Sequence, residues 1–539
     1  MSAPAVVPRL AALRARPALV ASRWPWLAPV LVASAVAALY LIVAPRTSDL
    51  PAHVFRAELF GRDGFTLWSN QWYGGHHTPA YSVLFPPLGW LLGPMVVGAI
   101  SAVASAALFE RLASAHFGER ARFGVLWFAV ATGSQLFTDR LTFCLGLAIG
   151  LGALLAAQRG RAGLAAALAA ACALASPVAG LFAALAGLAQ LLAGGRRPGI
   201  ALVLGGLVPP LILALAFPEG GRHPFVFSSY IGVPLVAAAF LLLLPARERA
   251  LRIGAALYAL AGTAAFVIDT PLGGNAARLG ALFGGPLLAA ALLGRKRSAK
   301  LSGVLALALL ALAYWQWAPA IRAYADARAD PATDPAYYEP LLGFLSREPP
   351  DGRVEIPFTR SHFEAAEVAL EVPLARGWQR QLDIERNELF YEGELTHAAY
   401  SRWLRDNAVS YVAVPDAALD YSAVAERRLI DERPSYLRPR WAGEHWRVLE
   451  VVGARPPAEP ERGAAIGPAA LTRTGFELDF ERPGAALVRV RFSPYWRAEG
   501  ACVEPAGEWT RVVRDRPGPV RVGIDFSPGR VVERGRRCG

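Results

Sequence analysis

Asp49 and His53 stand four residues apart in a polar stretch that follows an apolar segment. Pro51 suits a first helical turn, and on a helix positions i and i+4 share a face, so carboxylate and imidazole would lie side by side. Such a pair can hold and shift a proton, which makes it a workable general base. The spacing fits a plainer role equally well, with Asp49 capping a helix N-terminus and His53 an interfacial polar residue. Asp63 and the adjacent His76 and His77 lie further along the same stretch. An adjacent histidine pair with no fixed third ligand points to hydrogen bonds with substrate or backbone more than to a metal. A second stretch, 268–279, reads IDTPLGGNAARL. Gly273 and Gly274 let a ligand approach the backbone closely. Asn275 and Arg278 are its candidate substrate-binding groups. Arginine suits bidentate phosphate binding, and an arginine at this position also fits an interfacial snorkelling role. Asp139-Arg140 and Arg222-His223 are shorter candidates of the same kind.

These residues sit between apolar segments. Hydrophobic residues make up 54% of the 539 and charged residues 18%, below the roughly one quarter usual in soluble proteins. The deficit is concentrated in residues 24–318. Candidate membrane spans are 26–44, 94–112, 122–138, 141–157, 162–175, 178–193, 200–217, 229–245, 251–268, 280–294 and 301–318, about eleven in all. The prolines of 80–93 make that stretch either re-entrant or the broken first half of the second span. Ser176-Pro177 reads as a tight hairpin between two short spans.

Basic residues set the orientation. One set of loops carries Arg9, Arg14, Arg16, Arg23, Arg111, Arg120, Arg122, Arg159, Arg161, Arg196, Arg197, Arg247, Arg249, Arg252, Arg295, Lys296, Arg297 and Lys300. The opposite set has only Arg46, Arg56, Arg62, Arg140, Arg222 and Arg278. The expected protein is multi-pass in the cell membrane, with a cytoplasmic N-terminal segment (1–25), a transmembrane domain (26–318), an extracytoplasmic α/β domain (319–453) and a small β-sandwich (464–539). Pro45 follows a plausible signal-peptide cleavage site, but the first span is taken as retained. On this topology the stretch 45–81 is a long first outer loop, and Phe55, Leu59 and Phe60 would seat its helix on the membrane surface. An oxidising location allows a Cys502–Cys538 disulfide, while Cys144 and Cys172 fall in apolar helices. The net charge of +12 resides largely in the short loops, so no nucleic-acid partner is implied. No Walker loop, GxSxG, HExxH or GxGxxG is present, which leaves ATP-driven transport and serine hydrolysis without sequence support.

The stretch Ser48-Asp49-Leu50-Pro51-Ala52-His53, then Trp72-Tyr73-Gly74-Gly75, Tyr81 to Pro87, and Pro271-Leu272-Gly273-Gly274-Asn275 with Arg278, resembles the GT-C fold membrane glycosyltransferases. The likeness is to the bacterial branch labelled 6-pyruvoyl-tetrahydropterin synthase-related. Phe492 to Gly500 and the strand Val520 to Phe526 are similar to the terminal β domain of YfhO-like proteins. The resemblance implies transfer of a sugar from a polyprenyl-phosphate donor to an extracytoplasmic glycan, lipid or protein acceptor, with membrane lipid as a further partner. It makes Asp49 the base and Arg278 a phosphate contact. His53, Asn275, His76, His77 and Asp63 are the remaining candidates. Leu50 follows Asp49 where many relatives carry a second acid, leaving Asp63 as the only later aspartate of the loop. No cofactor is required by the reading, although a divalent metal ion is compatible with it. The competing readings are a non-catalytic scaffold of envelope glycan assembly and a secondary transporter. Few ionisable residues occur within the spans, which argues against ion coupling.

Overall fold

The computed structural model describes residues 27–293, 298–393 and 395–539. The predicted segment 1–25 and the loop residues Arg295, Lys296 and Arg297 lie outside them. Up to residue 329 the chain is almost wholly helical, and beyond it sheets dominate. Among the described residues six stretches are long and apolar enough to cross a membrane: Pro94–Leu136, Leu141–Gln158, Arg196–Ala216, Arg249–Val267, Gly273–Leu292 and Ser302–Ala329. Leu27–Val43, Ala162–Ala175, Pro177–Leu192 and Phe227–Leu243 are apolar but shorter. A helix therefore lies at every predicted span, and Pro94–Leu136 unites two of them.

Local chemistry sets the breaks. Ser176 is extended between two helices and its hydroxyl caps the second by accepting from the Ala179 N–H, with Pro177 in the first turn. This is the expected hairpin. Residues 85–92 form their own short helix, Phe85–Leu92, which turns away from Pro94–Phe117 at Gly93, where φ is +85°. Small residues let backbones touch: a Cβ on Gly206 would fall 2.4 Å from the Gly180 carbonyl oxygen, and one on Gly205 2.5 Å from that of Ala166. Such contacts suit helices that cannot rely on the hydrophobic effect to associate.

The predicted first outer loop is a folded element. It forms the helix Leu50–Asp63 and a small hairpin of β1 (Trp68–Ser69) and β2 (His76–His77). Phe55 and Leu59 do not meet a membrane surface: both are buried in protein, with Phe55 stacked on Trp72 at 4.0 Å between centroids. The apolar face of the helix is covered by the helix Phe85–Leu92 and by the segment around Phe363 to Ala366, a pairing that sequence periodicity could not foresee.

The helix Ala299–Ala329 leads from the helical part into the sheet-bearing part. Beyond it, β3 (Arg353–Glu355), β4 (Val409–Pro415), β5 (Leu437–Ala442) and β6 (Trp446–Val451) form a mixed sheet in the order β3-β4-β6-β5. β3 runs parallel to β4, and the connection between them carries the helices Arg380–Arg386 and His397–Asp406.

The terminal region has two five-stranded sheets. Its strands are β7 (Ala458–Glu461), β8 (Ala465–Ile466), β9 (Ala470–Leu471), β10 (Phe476–Arg482), β11 (Gly484–Arg491), β12 (Trp496–Ala498), β13 (Cys502–Ala506), β14 (Trp509–Arg514), β15 (Gly518–Ile524) and β16 (Arg537–Cys538). One sheet runs β12-β15-β10-β8, with β9 also on β10, and the other β16-β13-β14-β11-β7. Alternating Phe476, Leu478 and Phe480 face Val488, Val490, Val503 and Val512 in the shared core, where Trp68 from the first outer loop joins them. The stretch between the two expected domains contributes β7 to the sandwich through its pairing with β11.

Cys502 and Cys538 oppose each other on β13 and β16 and form a disulfide spanning 36 residues. Closing a loop of that length in the unfolded chain is worth about 2–4 kcal/mol. Cys538→Ser is therefore expected to lower the unfolding midpoint of the protein, and a reducing agent should lower the wild type to the same value. A thermal melt of both proteins, with and without reductant, checks this.

Candidate functional site

A cavity of about 1180 Å³ lies where the apolar helices meet the outer α/β region. Its walls come from Thr142, Pro177, Leu213, Ala261 and Arg278 on the helical side, and from the segment Trp378 to Gln381 with Tyr421 on the outer side. The volume exceeds the roughly 300–1,000 Å³ usual for one small ligand, so two substrates can share it.

Of the sequence-predicted residues, Asp49, Asn275 and Arg278 line this cavity. Asp49 occupies the N-cap position of Leu50–Asp63, but its side chain makes no cap hydrogen bond. Among the described residues its carboxylate has no hydrogen-bond or ion-pair partner, so it faces the cavity. The backbone just before it is fixed from two directions. The Thr47 N–H and hydroxyl both donate to Asp139 Oδ2, at 2.9 and 2.7 Å. Trp378 Nε1 donates to the Ser48 carbonyl. Asp139 itself holds a left-handed backbone, φ +47°, and also accepts from the Tyr40 hydroxyl.

Two guanidinium groups stand near Asp49. Arg278 sits over the Phe143 ring, 5.6 Å from its centroid. Arg140 is close enough for the two cations to repel each other and for both to feel Asp49. Neither donates to an acceptor among the described residues, and Arg140 Nε is buried without a partner. One carboxylate thus faces two cations, leaving a net positive hollow suited to a phosphate. The Asn275 side chain, buried beside them, also makes no hydrogen bond among the described residues.

The other predicted residues lie elsewhere. His53 is buried behind Asp49 against Phe85 and Tyr81, and burial holds it down to about 4. His76 lies flat on Trp72, 5.4 Å between centroids, with neither ring nitrogen hydrogen-bonded. Burial holds it down to about 3. Asp63 makes a two-pronged ion pair with Arg473, at 2.7 and 2.9 Å, tying the helix to the sandwich. His77 donates its backbone N–H to Glu219 Oε1 at 2.8 Å. Its ring bridges the same oxygen (2.9 Å) and the Ser493 hydroxyl (3.0 Å). The Ser–His–Glu order has the geometry of a nucleophilic relay, yet Ser493 is fully buried, so it serves as a clasp. Arg386 donates to the second Glu219 oxygen. Burial raises the Glu219 carboxyl, but Arg386 and His77 outweigh it and bring it down to about 2. Among the described residues no group of three or more His, Cys, Asp or Glu is arranged to hold a metal ion.

Glu219, Trp378, Gln381, Glu385 and Tyr421 also line the cavity, and sequence reasoning did not name them as site residues. Nothing local marks them, because the cavity they line is closed by segments distant in sequence.

Burial of neutral imidazoles sets a pH response. Unfolded histidines take up a proton near 6.5, while His53 and His76 in the folded chain stay neutral until about 4 and 3. The unfolded state therefore binds more protons as pH falls below about 6.5, and stability drops by about 1.4 kcal/mol per pH unit for each histidine. Glu219 adds to the loss below the ordinary carboxylate range. Buried carboxyls such as Glu364, which burial pushes up to about 8, act in the opposite sense, so the histidine contribution is read as a difference: between pH 7 and 4 the unfolding midpoint should fall more in wild type than in His76→Phe. A slope equal in both proteins would remove His76 from the account.

No family model matches the chain, and no curated protein matches it. Among solved structures it is similar to the cryo-EM structure of the arabinofuranosyltransferase AftD from Mycobacteria, at 15% identity and a TM-score of 0.43, over 93% of this chain and 57% of that one. It is also similar to a mutant form of that enzyme, at 16% identity and a TM-score of 0.44, over 93% of this chain and 60% of that one. The chain thus spans less than two thirds of the length of these structures, and a likeness at this level assigns no residue its role.

Proposed function

We propose that this protein is a membrane glycosyltransferase of the GT-C type that moves a sugar from a polyprenyl-phosphate donor to an acceptor hydroxyl. The observation that carries the reading is an unpartnered carboxylate, Asp49, and a guanidinium group unpartnered among the described residues, Arg278, on the wall of one cavity between apolar helices and a polar α/β region, with Arg140, its Nε unpartnered, near them. Unpaired charge in a half-buried setting is costly, and a fold keeps it where a ligand or water completes it.

In this reading the donor phosphate rests against Arg278, with Arg140 and Asn275 beside it. Asp49 takes the proton from the acceptor hydroxyl as its oxygen bonds to the anomeric carbon. The bond from that carbon to the phosphate oxygen breaks, and its electron pair leaves with the phosphate, where the arginines stabilise it. A single displacement inverts the anomeric centre. His53, neutral and buried, packs behind Asp49 and does not take the proton. The arginine distribution and the Cys502–Cys538 disulfide support an extracytoplasmic position for the outer domains, with the N-terminus cytoplasmic.

Purified protein in nanodiscs, supplied with a polyprenyl-phosphate sugar series, tests the assignment. Asp49→Asn is expected to cut turnover at least about 100-fold while the unfolding midpoint is retained. Arg278→Lys keeps the charge but loses the fork, and should raise KM for the donor. Equal turnover in wild type and Asp49→Asn would remove the base. Donor binding without turnover in either would favour a scaffold.

A further inference from the structure

We infer that the outer rim of this cavity is a saccharide-binding platform, so that the acceptor is a glycan; the inference deepens the glycosyltransferase reading and rests on it for the word acceptor. Tyr421 lines the cavity and is 64% exposed, an unusual state for a tyrosine facing a cleft. Its position is fixed. Asp420 caps the turn that carries it, accepting from the Ser422 N–H at 3.0 Å. Arg380 lies 4.9 Å from the ring centroid and is itself locked to Asp420 by two hydrogen bonds of 2.9 and 2.7 Å. The result is a preorganised aromatic face turned to water. A sugar ring offers an apolar C–H face to such a surface, and it surrounds that face with hydroxyls that need planar donors and acceptors.

Those groups are present. Gln381 and Glu385 both line the cavity on the helix Arg380–Arg386, four residues apart and therefore on one side of it. Neither side chain has a hydrogen-bond or ion-pair partner among the described residues. The Gln381 backbone is held by the Arg222 N–H, which donates to its carbonyl. Gly221 packs so closely there that a Cβ would fall 2.0 Å from the Gln381 carbonyl oxygen.

Charge divides the cavity. The inner end, with Arg278 on its wall and Arg140 near it, suits an anionic donor head, whereas at the rim Arg380 is paired with Asp420 and Glu385 is left unpaired, which disfavours anions. The rim is also polar where a lipid acceptor would need an apolar surface. No lining residue belongs to a β-strand, so the cavity offers no strand edge for a peptide to extend.

The test is direct binding. Full-length protein in nanodiscs would be titrated by calorimetry with neutral gluco-, galacto-, manno- and arabino-oligosaccharides, with a random peptide pool as comparison. At least one saccharide series should bind. Tyr421→Ala should weaken it about tenfold, Gln381→Ala should also weaken it, and Tyr421→Phe, which keeps the face, should bind like wild type. No saccharide binding by wild type, unchanged binding by Tyr421→Ala, or preference for peptide would each overturn the inference. Donor turnover measured on the same samples separates the two claims. Saccharide binding without donor cleavage removes the enzyme reading and leaves the platform, while donor cleavage without saccharide binding removes only the platform.

Discussion

The architecture turns on the burial of one polar-aromatic stretch, Leu50 to Tyr81, between the apolar helices and both outer domains. Trp68 enters the sandwich core, and Trp72 and Tyr73 enter the core shared with the α/β domain. Trp72 Nε1 donates to the Ala365 carbonyl and the Tyr73 hydroxyl to that of Gly377. Asn70 donates to carbonyls of the sandwich loop at Thr472 and Gly475. Tight turning makes this possible. Gly75, at φ +117°, passes so close to Trp68 that a Cβ would lie 2.2 Å from the indole. Most of the polar groups that the stretch buries find partners in other parts of the chain, because an unmet one costs about 1–3 kcal/mol; the ring nitrogens of His76 are left without a partner.

Glu219 is where these ties meet. Its carboxylate receives His77 from the first outer loop and Arg386 from the α/β domain, and Ser493 of the sandwich joins through the other nitrogen of His77. The same residue lines the cavity. The sandwich therefore helps to shape one cavity wall although it contributes no lining residue itself. Such a charge knot stabilises only when complete, since a missing partner leaves a buried ion behind.

The cavity is arranged differently. Around Glu219 each charge is matched, whereas around Asp49 carboxylate and guanidinium groups are held apart by backbone anchors at Thr47 and Ser48. Rigidity there and incompleteness at the side chains are what an electrostatically preorganised site requires, because groups already in place need not reorganise when charge develops.

Helix positions were legible in the sequence because hydropathy is local: twenty apolar residues announce a span wherever they fold. A sheet-bearing C-terminal part was legible for the same reason, as was the candidacy of Asp49 and Arg278 from residue type and position. Local pattern misjudged the helix after Asp49, because an apolar face records that it will be covered and not by what. The grouping of Asp49 with Arg140 and Arg278, the dispersal of His53, His76, His77 and Asp63 to packing and clasp positions, and the entry of Glu219, Gln381 and Tyr421 were decided by tertiary structure alone. Most of these placements depend on contacts between segments far apart in the chain, and a single sequence carries no record of which distant groups will share a cavity.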